Sequence, residues 1–405
     1  MNQLHLFLPC AAGVEDFLLA EVRAITQAPE TAMRKSRGGV AVQAAWRDAL
    51  QLNLRSRLAQ RVLVQLAHQP YRNEQDIYDA ARAVAWELWF TDRQSFKIDL
   101  TAQHSPLKSL NFATLRIKDA VADRHRDKAG ARPDVDTQRP DARIHAHLTR
   151  EHVTLYIDTS GEPLFKRGWR EDKGEAPLKE TLAAAMLAAC GWNPQEQPLP
   201  LYDPCCGSGT IAIEAAQMAC NMAPGRLRRF GFERLLPFQP HVWQQLKAEA
   251  EARITPPAAP IFGSDVAHRM VDFAQRNAER AGVAQAIEFR GGDALQRMPP
   301  CDTPGVLLLN PPYGERIGVG GSVKAPREFA QTEDGGEFFT RLAAHWKKNY
   351  AGWTAWMLTP DLKLPGRMRL KETRRVPLWN GPIECRLFRF DLVAGKLEAT
   401  HAPAN

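Results

Sequence analysis

The chain has 405 residues, 44% of them hydrophobic and 24% charged, with 53 Lys and Arg against 46 Asp and Glu for a net charge of +7. That length exceeds one ordinary core and predicts two or three domains of globular composition. No apolar run reaches roughly eighteen residues, no basic-then-apolar stretch opens the chain, and the seven cysteines show neither C-x-x-C nor zinc spacing. The expectation is a reduced, cytoplasmic protein with no membrane span and no metal. Strands are predicted over residues 3–9 and 38–43, and helices over 14–25 and 46–54 from spacings such as Val14, Phe17, Leu18, Val22 and Ile25. A strand (62–67), a helix (76–85), a strand (95–102), a longer helix (112–126) and two strands (143–149, 153–158) follow. These short units predict one or two small α+β layers rather than a single wound sheet.

Charge is uneven. Residues 101–150 hold ten Lys and Arg against six Asp and Glu, and residues 361–405 nine against five. Two such stretches suit either phosphate-contacting surfaces or solvated faces. The helix from Phe112 carries Arg116, Lys118, Arg124, Arg126 and Lys128, with Leu115, Ile117 and Val121 to pack inward. It reads as an RNA-backbone contact or as an exposed helix laced by Asp119, Asp123 and Asp127. Residues 161–176 are polar and link the two halves. Within them Lys166, Arg167, Trp169 and Arg170 combine cations with aromatics, a composition suited to stacking and phosphate contact. Pro177 is expected in the first turn of a helix over 178–190.

From Pro200 onward the pattern becomes that of a wound α/β sheet. A strand (201–202), the turn Asp203-Pro204-Cys205-Cys206-Gly207-Ser208-Gly209-Thr210 and a helix (211–220) come first. A strand (261–263), a helix (269–281) and strands at 287–290 and 305–309 follow. A helix (338–350), a strand (353–359) and a hairpin (374–379 with 385–391) close the pattern. Residues 221–258 are an insertion in which Arg226, Arg228 and Arg229 precede Phe230 and Phe232, suited to substrate contact or to packing.

The turn after the first of these strands lacks the Lys of a nucleotide-binding P-loop, and Ala212 breaks a full G-x-G-x-x-G. An acid followed by a glycine turn and a helix N-terminus suits a zwitterion: Asp203 meets an ammonium and the helix a carboxylate. Asp265 follows the second strand, where it can accept from a ribose diol, and Asp293 the third, where it can receive an adenine amine. Singly each is a turn-former; jointly they outline a site for an adenosine carrying an amino acid. The fourth strand runs into Asn310, Pro311, Pro312 and Tyr313. Alone, this is a proline-capped strand end or a base clamp, with acceptor oxygens for an exocyclic amine and a ring to stack. Its place beside the three acids favours the clamp.

Through D-P-C-C-G-S-G-T and N-P-P-Y-G-E-R, residues 200–392 resemble the class I S-adenosylmethionine-dependent methyltransferases that modify exocyclic amines of nucleic-acid bases. L-R-I-K-D-A-V from Leu115, K-R-G-W-R from Lys166, A-P-L-K-E-T-L-A from Ala176 and G-F-E-R from Gly231 are similar to the bacterial large-subunit ribosomal RNA guanine-N2 methyltransferases. The resemblance covers nearly the whole chain. It implies an α/β fold: a Rossmann-like class I methyltransferase with a seven-stranded sheet, preceded by an α+β ferredoxin-like and THUMP RNA-binding region. The implied domains are 1–60 (ferredoxin-like), 61–160 (THUMP), 161–180 (linker) and 181–395 (methyltransferase). Some relatives carry a second methyltransferase domain; this sequence ends at Asn405.

The resemblance implies S-adenosylmethionine as cofactor, held by Asp203, Cys205, Gly207, Ser208, Gly209, Thr210, Asp265, Asp293, Ala294 and Asn310. It implies catalysis by Asn310, Pro311, Pro312 and Tyr313. It implies RNA contacts from Arg116, Lys118, Arg124, Lys166, Arg167, Trp169, Arg228, Arg229 and Arg316. The implied partner is 23S ribosomal RNA in an assembly intermediate, with no obligate protein partner and no membrane. Transfer RNA guanine and adenine in DNA or RNA are rival substrates, and a non-catalytic RNA-binding or ribosome-assembly protein is the remaining alternative.

Overall fold

The protein is described here by a computed structural model covering residues 3–174, 177–311 and 335–393. Backbone contacts divide it into two units, residues 1–168 with 223–253 and residues 169–222 with 254–405.

The first unit contains β1 (Leu4–Pro9), α1 (Glu15–Thr26), β2 (Met33–Ser36), β3 (Gly39–Ala44), α2 (Trp46–Arg55), β4 (Leu63–Pro70), α3 (Glu74–Ala83), β5 (Phe96–Ala102), α4 (Leu110–Ala129), β6 (Ala142–Leu148) and β7 (His152–Asp158). Its strands form one seven-stranded sheet in the order β2-β3-β1-β4-β7-β6-β5. The sequence pattern predicts one or two small layers. The welding strand is β4, paired antiparallel with β1 on one edge (Leu6 opposite Val64) and with β7 on the other (Val64 opposite Ile157). Such pairings join residues far apart in the chain and leave no local signature. On β6, Ala142, Ile144, Ala146 and Leu148 are buried while Arg143, His145 and His147 between them are half-buried, the period-2 pattern of a strand with one covered face. Helix α4 buries Ile117, Ala120 and Val121, starts on Ser109, whose side chain accepts the Phe112 N–H at 3.1 Å, and stops at Gly130 with φ of 88°.

Residues 223–253 of the insertion belong to this unit. Its helix α7 (Pro240–Glu251) carries Trp243, which packs edge-on against the stacked rings of Phe230 and Phe232 at 5.6 and 5.0 Å. The two aromatics singled out in the sequence are therefore core residues.

The second unit contains α5 (Glu180–Cys190), β8 (Leu201–Asp203), α6 (Thr210–Ala219), β9 (Ile261–Asp265), α8 (His268–Ala281), β10 (Ile287–Gly291), β11 (Val306–Leu309), α9 (Gly335–Asn349), β12 (Thr354–Thr359), α10 (Leu364–Met368), β13 (Arg374–Asn380) and β14 (Ile383–Asp391). Helix α5 begins at Glu180 with Lys179 extended, so Pro177 precedes the helix instead of opening it. The sheet order is β10-β9-β8-β11-β12-β14-β13. Strands β8 to β12 run parallel to one another, and β14 alone is reversed, pairing antiparallel with β12 on one side and with β13 on the other. All four residues of β11 are buried, as expected of a central strand covered on both faces. Leu307 and Leu309 share a cluster with Trp346 and Tyr350 at α9, and α5 packs on α6. The chain winds outward from β8 to β10 and then restarts on the other side at β11. The ends of β8 and β11 therefore flank a topological switch point, where open α/β sheets bind ligands.

Candidate active site

Three acids stand at the carboxyl ends of adjacent strands. Asp203 ends β8 and is 1% exposed. One carboxyl oxygen accepts the Cys205 N–H at 3.1 Å. Burial, with the neighbouring Asp265 adding to it, pushes its pKa up to about 8. Asp265 ends β9, where its Oδ2 accepts the Gly207 N–H at 2.9 Å and its Oδ1 the Ala267 N–H at 3.0 Å. Burial raises this carboxyl as well. Asp293 follows β10, is half-buried and accepts the Leu295 N–H at 2.9 Å, with Ala294 buried beside it.

The glycine turn closes over these acids. Gly207 and Gly209 have φ of 52° and 86°, in the left-handed region. A Cβ on Gly209 would lie 3.0 Å from the Ala274 Cβ of α8, so this glycine permits close helix packing. A Cβ on Gly207 would meet no described atom within 4 Å. A bare backbone beside open space at a helix N-terminus, next to a carboxyl whose ionisation burial disfavours, fits an adenosyl amino acid with a cationic centre.

Ser208 and Thr210, both buried, are held by a residue that sequence reasoning did not assign to the cofactor. Arg170 donates from Nη1 to Ser208 Oγ at 3.0 Å and from Nη2 to Thr210 Oγ1 at 2.7 Å, while its Nε donates to Glu180 at 2.8 Å. Asn277, fully buried on α8, donates to the carbonyls of Ser208 and Asp172 at 3.1 and 2.8 Å. Arg276 and Arg280 bracket Asp172, so residues 169–172 lie strapped to α8. No local spacing announces these pairings; K-R-G-W-R was the only available cue. A second supporting cluster was also missed. The Tyr350 hydroxyl donates to the Arg297 carbonyl at 2.8 Å, and the Tyr202 hydroxyl of β8 bonds Ser264 of β9 at 2.7 Å.

Asn310 follows β11 directly. Its amide oxygen is shut off from solvent and accepts no hydrogen bond among the described residues. Pro311 beside it is buried. Pro312, Tyr313 and Arg316 lie outside the described residues. The Cys205 thiol, half-buried, is pushed well above its ordinary range by burial and by Asp203, Asp265 and Asp293.

The RNA-contact set fares differently. Trp169 is 0% exposed and Arg167 2%, with the guanidinium of Arg167 spent on the carbonyls of Leu164 and Arg57 at 2.8 and 2.7 Å. Both are packing residues, which corrects their expected place on an RNA surface. Arg228 is corrected too: it donates to the carbonyls of Ser160, Glu162, Pro163 and Lys166, and burial pushes its pKa down to about 10. On α4, Arg124 grips Glu87 through two hydrogen bonds at 3.0 and 2.5 Å and is half-buried. Arg116 lies 4.3 Å from the Tyr78 ring centroid and bonds Gln75, and Lys118 pairs with Asp119 at 2.7 Å. Lys166 pairs with Glu162, and Arg229 is exposed.

The sheet order, the switch point and the acids at its strand ends define a class I methyltransferase. The family described as the RMKL-like methyltransferase domain matches residues 167–389, and the chain belongs to it. S-adenosylmethionine is the cofactor that goes with this family. A THUMP domain matches residues 71–158 and the RlmL ferredoxin-like domain residues 5–63. The chain is 39% identical to the ribosomal RNA large subunit methyltransferase K/L of Shewanella loihica, over 96% of this chain and 53% of that protein. It is 38% identical to the protein of the same name from Shewanella pealeana, over 99% and 55%. The chain thus spans about half the length of the curated relatives it matches. Among solved structures, a Clostridium difficile protein described as a possible methylase superposes with a TM-score of 0.84 at 26% identity, covering 100% of both chains. A Listeria monocytogenes protein named a predicted N6-adenine-specific DNA methylase superposes with a TM-score of 0.82 at 27% identity, covering 96% of each.

Proposed function

We propose that this chain transfers a methyl group from S-adenosylmethionine to the exocyclic N2 amine of a guanine in 23S ribosomal RNA. One observation carries the reading. Asn310 presents a buried carbonyl oxygen without a partner among the described residues, at the end of the central strand and beside the acid-lined crevice. An unsatisfied buried acceptor costs about 1–3 kcal/mol unless a ligand supplies a donor, and an exocyclic amine is such a donor.

The cofactor, when bound, supplies an activated methyl on a positively charged sulfur. The chain's own residues supply alignment. In this reading Asp265 and Asp293 hold ribose and adenine, and the α6 N-terminus the amino-acid end, which fixes the direction of approach. Asn310 and the Pro311 carbonyl accept the two hydrogens of the amine. This draws its lone pair out of the ring and stabilises the positive charge that grows on nitrogen. Methylation at a ring carbon through a thiolate adduct would need a cysteine of lowered pKa. Cys205 and Cys206 are instead pushed well up by burial and the surrounding carboxylates, which favours direct transfer to nitrogen.

The choice of ribosomal RNA rests on the names of the Shewanella relatives and on the THUMP match. The same reading places the chain in the cytoplasm, acting on an assembling large subunit. Among the described residues no helix is long and apolar enough to cross a membrane.

The test is nucleoside mass spectrometry after incubating the purified chain with S-adenosylmethionine and unmodified 23S or transfer RNA. N2-methylguanosine in 23S RNA is expected, and Asn310→Ala should lower turnover about 100-fold while cofactor affinity stays within about twofold. Methyl found on adenine N6, or only in transfer RNA, overturns the assignment.

A further inference from the structure

Ser208 and Thr210 sit in the turn after β8, 6% and 4% exposed, and each accepts one hydrogen bond from Arg170. A hydroxyl has one proton to give and lone pairs to receive, whereas a guanidinium only donates. With Arg170 filling an acceptor site on each oxygen, both hydroxyl protons must point elsewhere. Among the described residues neither side-chain hydroxyl donates to a protein acceptor. The two free donors flank the N-terminus of α6, beside Gly207, whose Cβ direction meets no described atom within 4 Å.

We infer that Arg170 is a positioning residue that sets Ser208 and Thr210 as hydrogen-bond donors toward the carboxylate of the cofactor's amino-acid part. The inference rests on the cofactor site proposed above and adds to it the residue that polarises it.

The surroundings hold Arg170 rigidly. Its Nε is paired with Glu180, whose side chain is 4% exposed, and Nη2 also reaches the Leu178 carbonyl at 3.2 Å. Burial raises the Glu180 carboxyl, and Arg170 opposes that shift. The guanidinium lies 5.0 Å from the ring of Trp169, itself fully buried. Arg280 donates to the Trp169 carbonyl at 3.0 Å, so the backbone preceding Arg170 is pinned as well. Four acceptors in different directions match a planar fork and not the point charge of a lysine. A guanidinium donating to both oxygens also polarises their O–H bonds, which makes the hydroxyls better donors to an anion.

Two ligands separate this role from a general effect on the fold. S-adenosylhomocysteine carries the amino-acid carboxylate; 5′-methylthioadenosine keeps the adenosine and lacks it. Calorimetric titration of both into Arg170→Lys should show S-adenosylhomocysteine weakened tenfold or more and 5′-methylthioadenosine unchanged within about twofold. Ser208→Ala/Thr210→Val, which keeps Arg170 but removes both donors, should give the same selective loss, and decides the matter if Arg170→Lys does not fold. Asp265→Asn is the control for the site itself and should weaken both ligands. If it weakens neither, the cofactor site is misplaced. If it weakens both while the Arg170 and hydroxyl variants lower the two affinities equally, or neither, the site stands and the role of Arg170 is wrong.

Discussion

The N–H of Gly207 donates to Oδ2 of Asp265 at 2.9 Å, tying the turn after β8 to the end of β9. The acid expected to serve only the ribose thus also shapes the glycine turn. The two glycines of that turn have different reasons to be glycine, and substitutions should separate them. Gly207→Ala meets no described atom within 4 Å and bears only the left-handed backbone cost of about 1–2 kcal/mol. It should stay folded and lose cofactor affinity. Gly209→Ala drives its methyl against Ala274 at 3.0 Å and should lower Tm further. Thermal melts alongside S-adenosylhomocysteine titrations check both, and wild-type affinity in Gly207→Ala would show that the ligand does not approach this turn.

Asp203 gives the site a pH dependence. Its pKa of about 8 means that much of the free protein carries a neutral carboxyl at pH 7. A cationic ligand beside it favours ionisation, so binding should release a proton and affinity should rise between about pH 6 and 8. Calorimetry in buffers of different ionisation heat reads that release directly; Asp203→Asn should abolish it. The stability sign is opposite. A folded pKa above the ordinary 3.8 contributes stability that is full at acid pH and lost as pH rises through about 8. Asp203→Asn should therefore raise Tm more at pH 8 than at pH 5, while weakening the cofactor.

His125 on α4 is fully buried, 4.6 Å from the Phe90 ring, and neither ring nitrogen has a partner among the described residues. Burial lowers its pKa below the ordinary 6.5. Its contribution to the stability of the first unit is therefore full above about pH 6.5 and is lost as pH falls from there through the lowered folded pKa. His125→Leu, close in volume and without polar atoms, should raise Tm by a few degrees and flatten this acid limb. An unchanged pH profile by thermal denaturation would sink the explanation.

Arg228 and Arg229 are neighbours with opposite expectations. Arg228 satisfies four carbonyls, so Arg228→Ala should lower Tm by several degrees. Arg229 is exposed, so Arg229→Ala should leave Tm unchanged and reduce the salt dependence of RNA binding by about one ion. The reverse pattern in melts and salt titrations would return Arg228 to the RNA surface.

Most elements were legible because their signals are local. Helices such as Glu15–Thr26 follow from apolar spacing, and the strands of the second sheet from apolar runs closed by acids and glycines. Local reading also put Asp203, Asp265, Asp293 and Asn310 at or just after strand ends, since the end of a parallel strand is a position along the chain. What needed the tertiary structure was whatever depends on partners distant in sequence. Strand β4 makes one sheet of what the sequence reads as one or two small layers, through pairings with β1 and β7. Trp169 and Arg228 have the composition of an RNA surface, yet one is fully buried and the other clasps four carbonyls, because an amphipathic residue serves a core or a ligand equally well until its neighbours are known. Arg170 reaches Ser208 and Thr210 across nearly forty residues. The sequence by itself determined where the three acids and Asn310 lie along the strands. Only the folded chain decided which cations were already spent on the protein and which hydroxyls remain to donate.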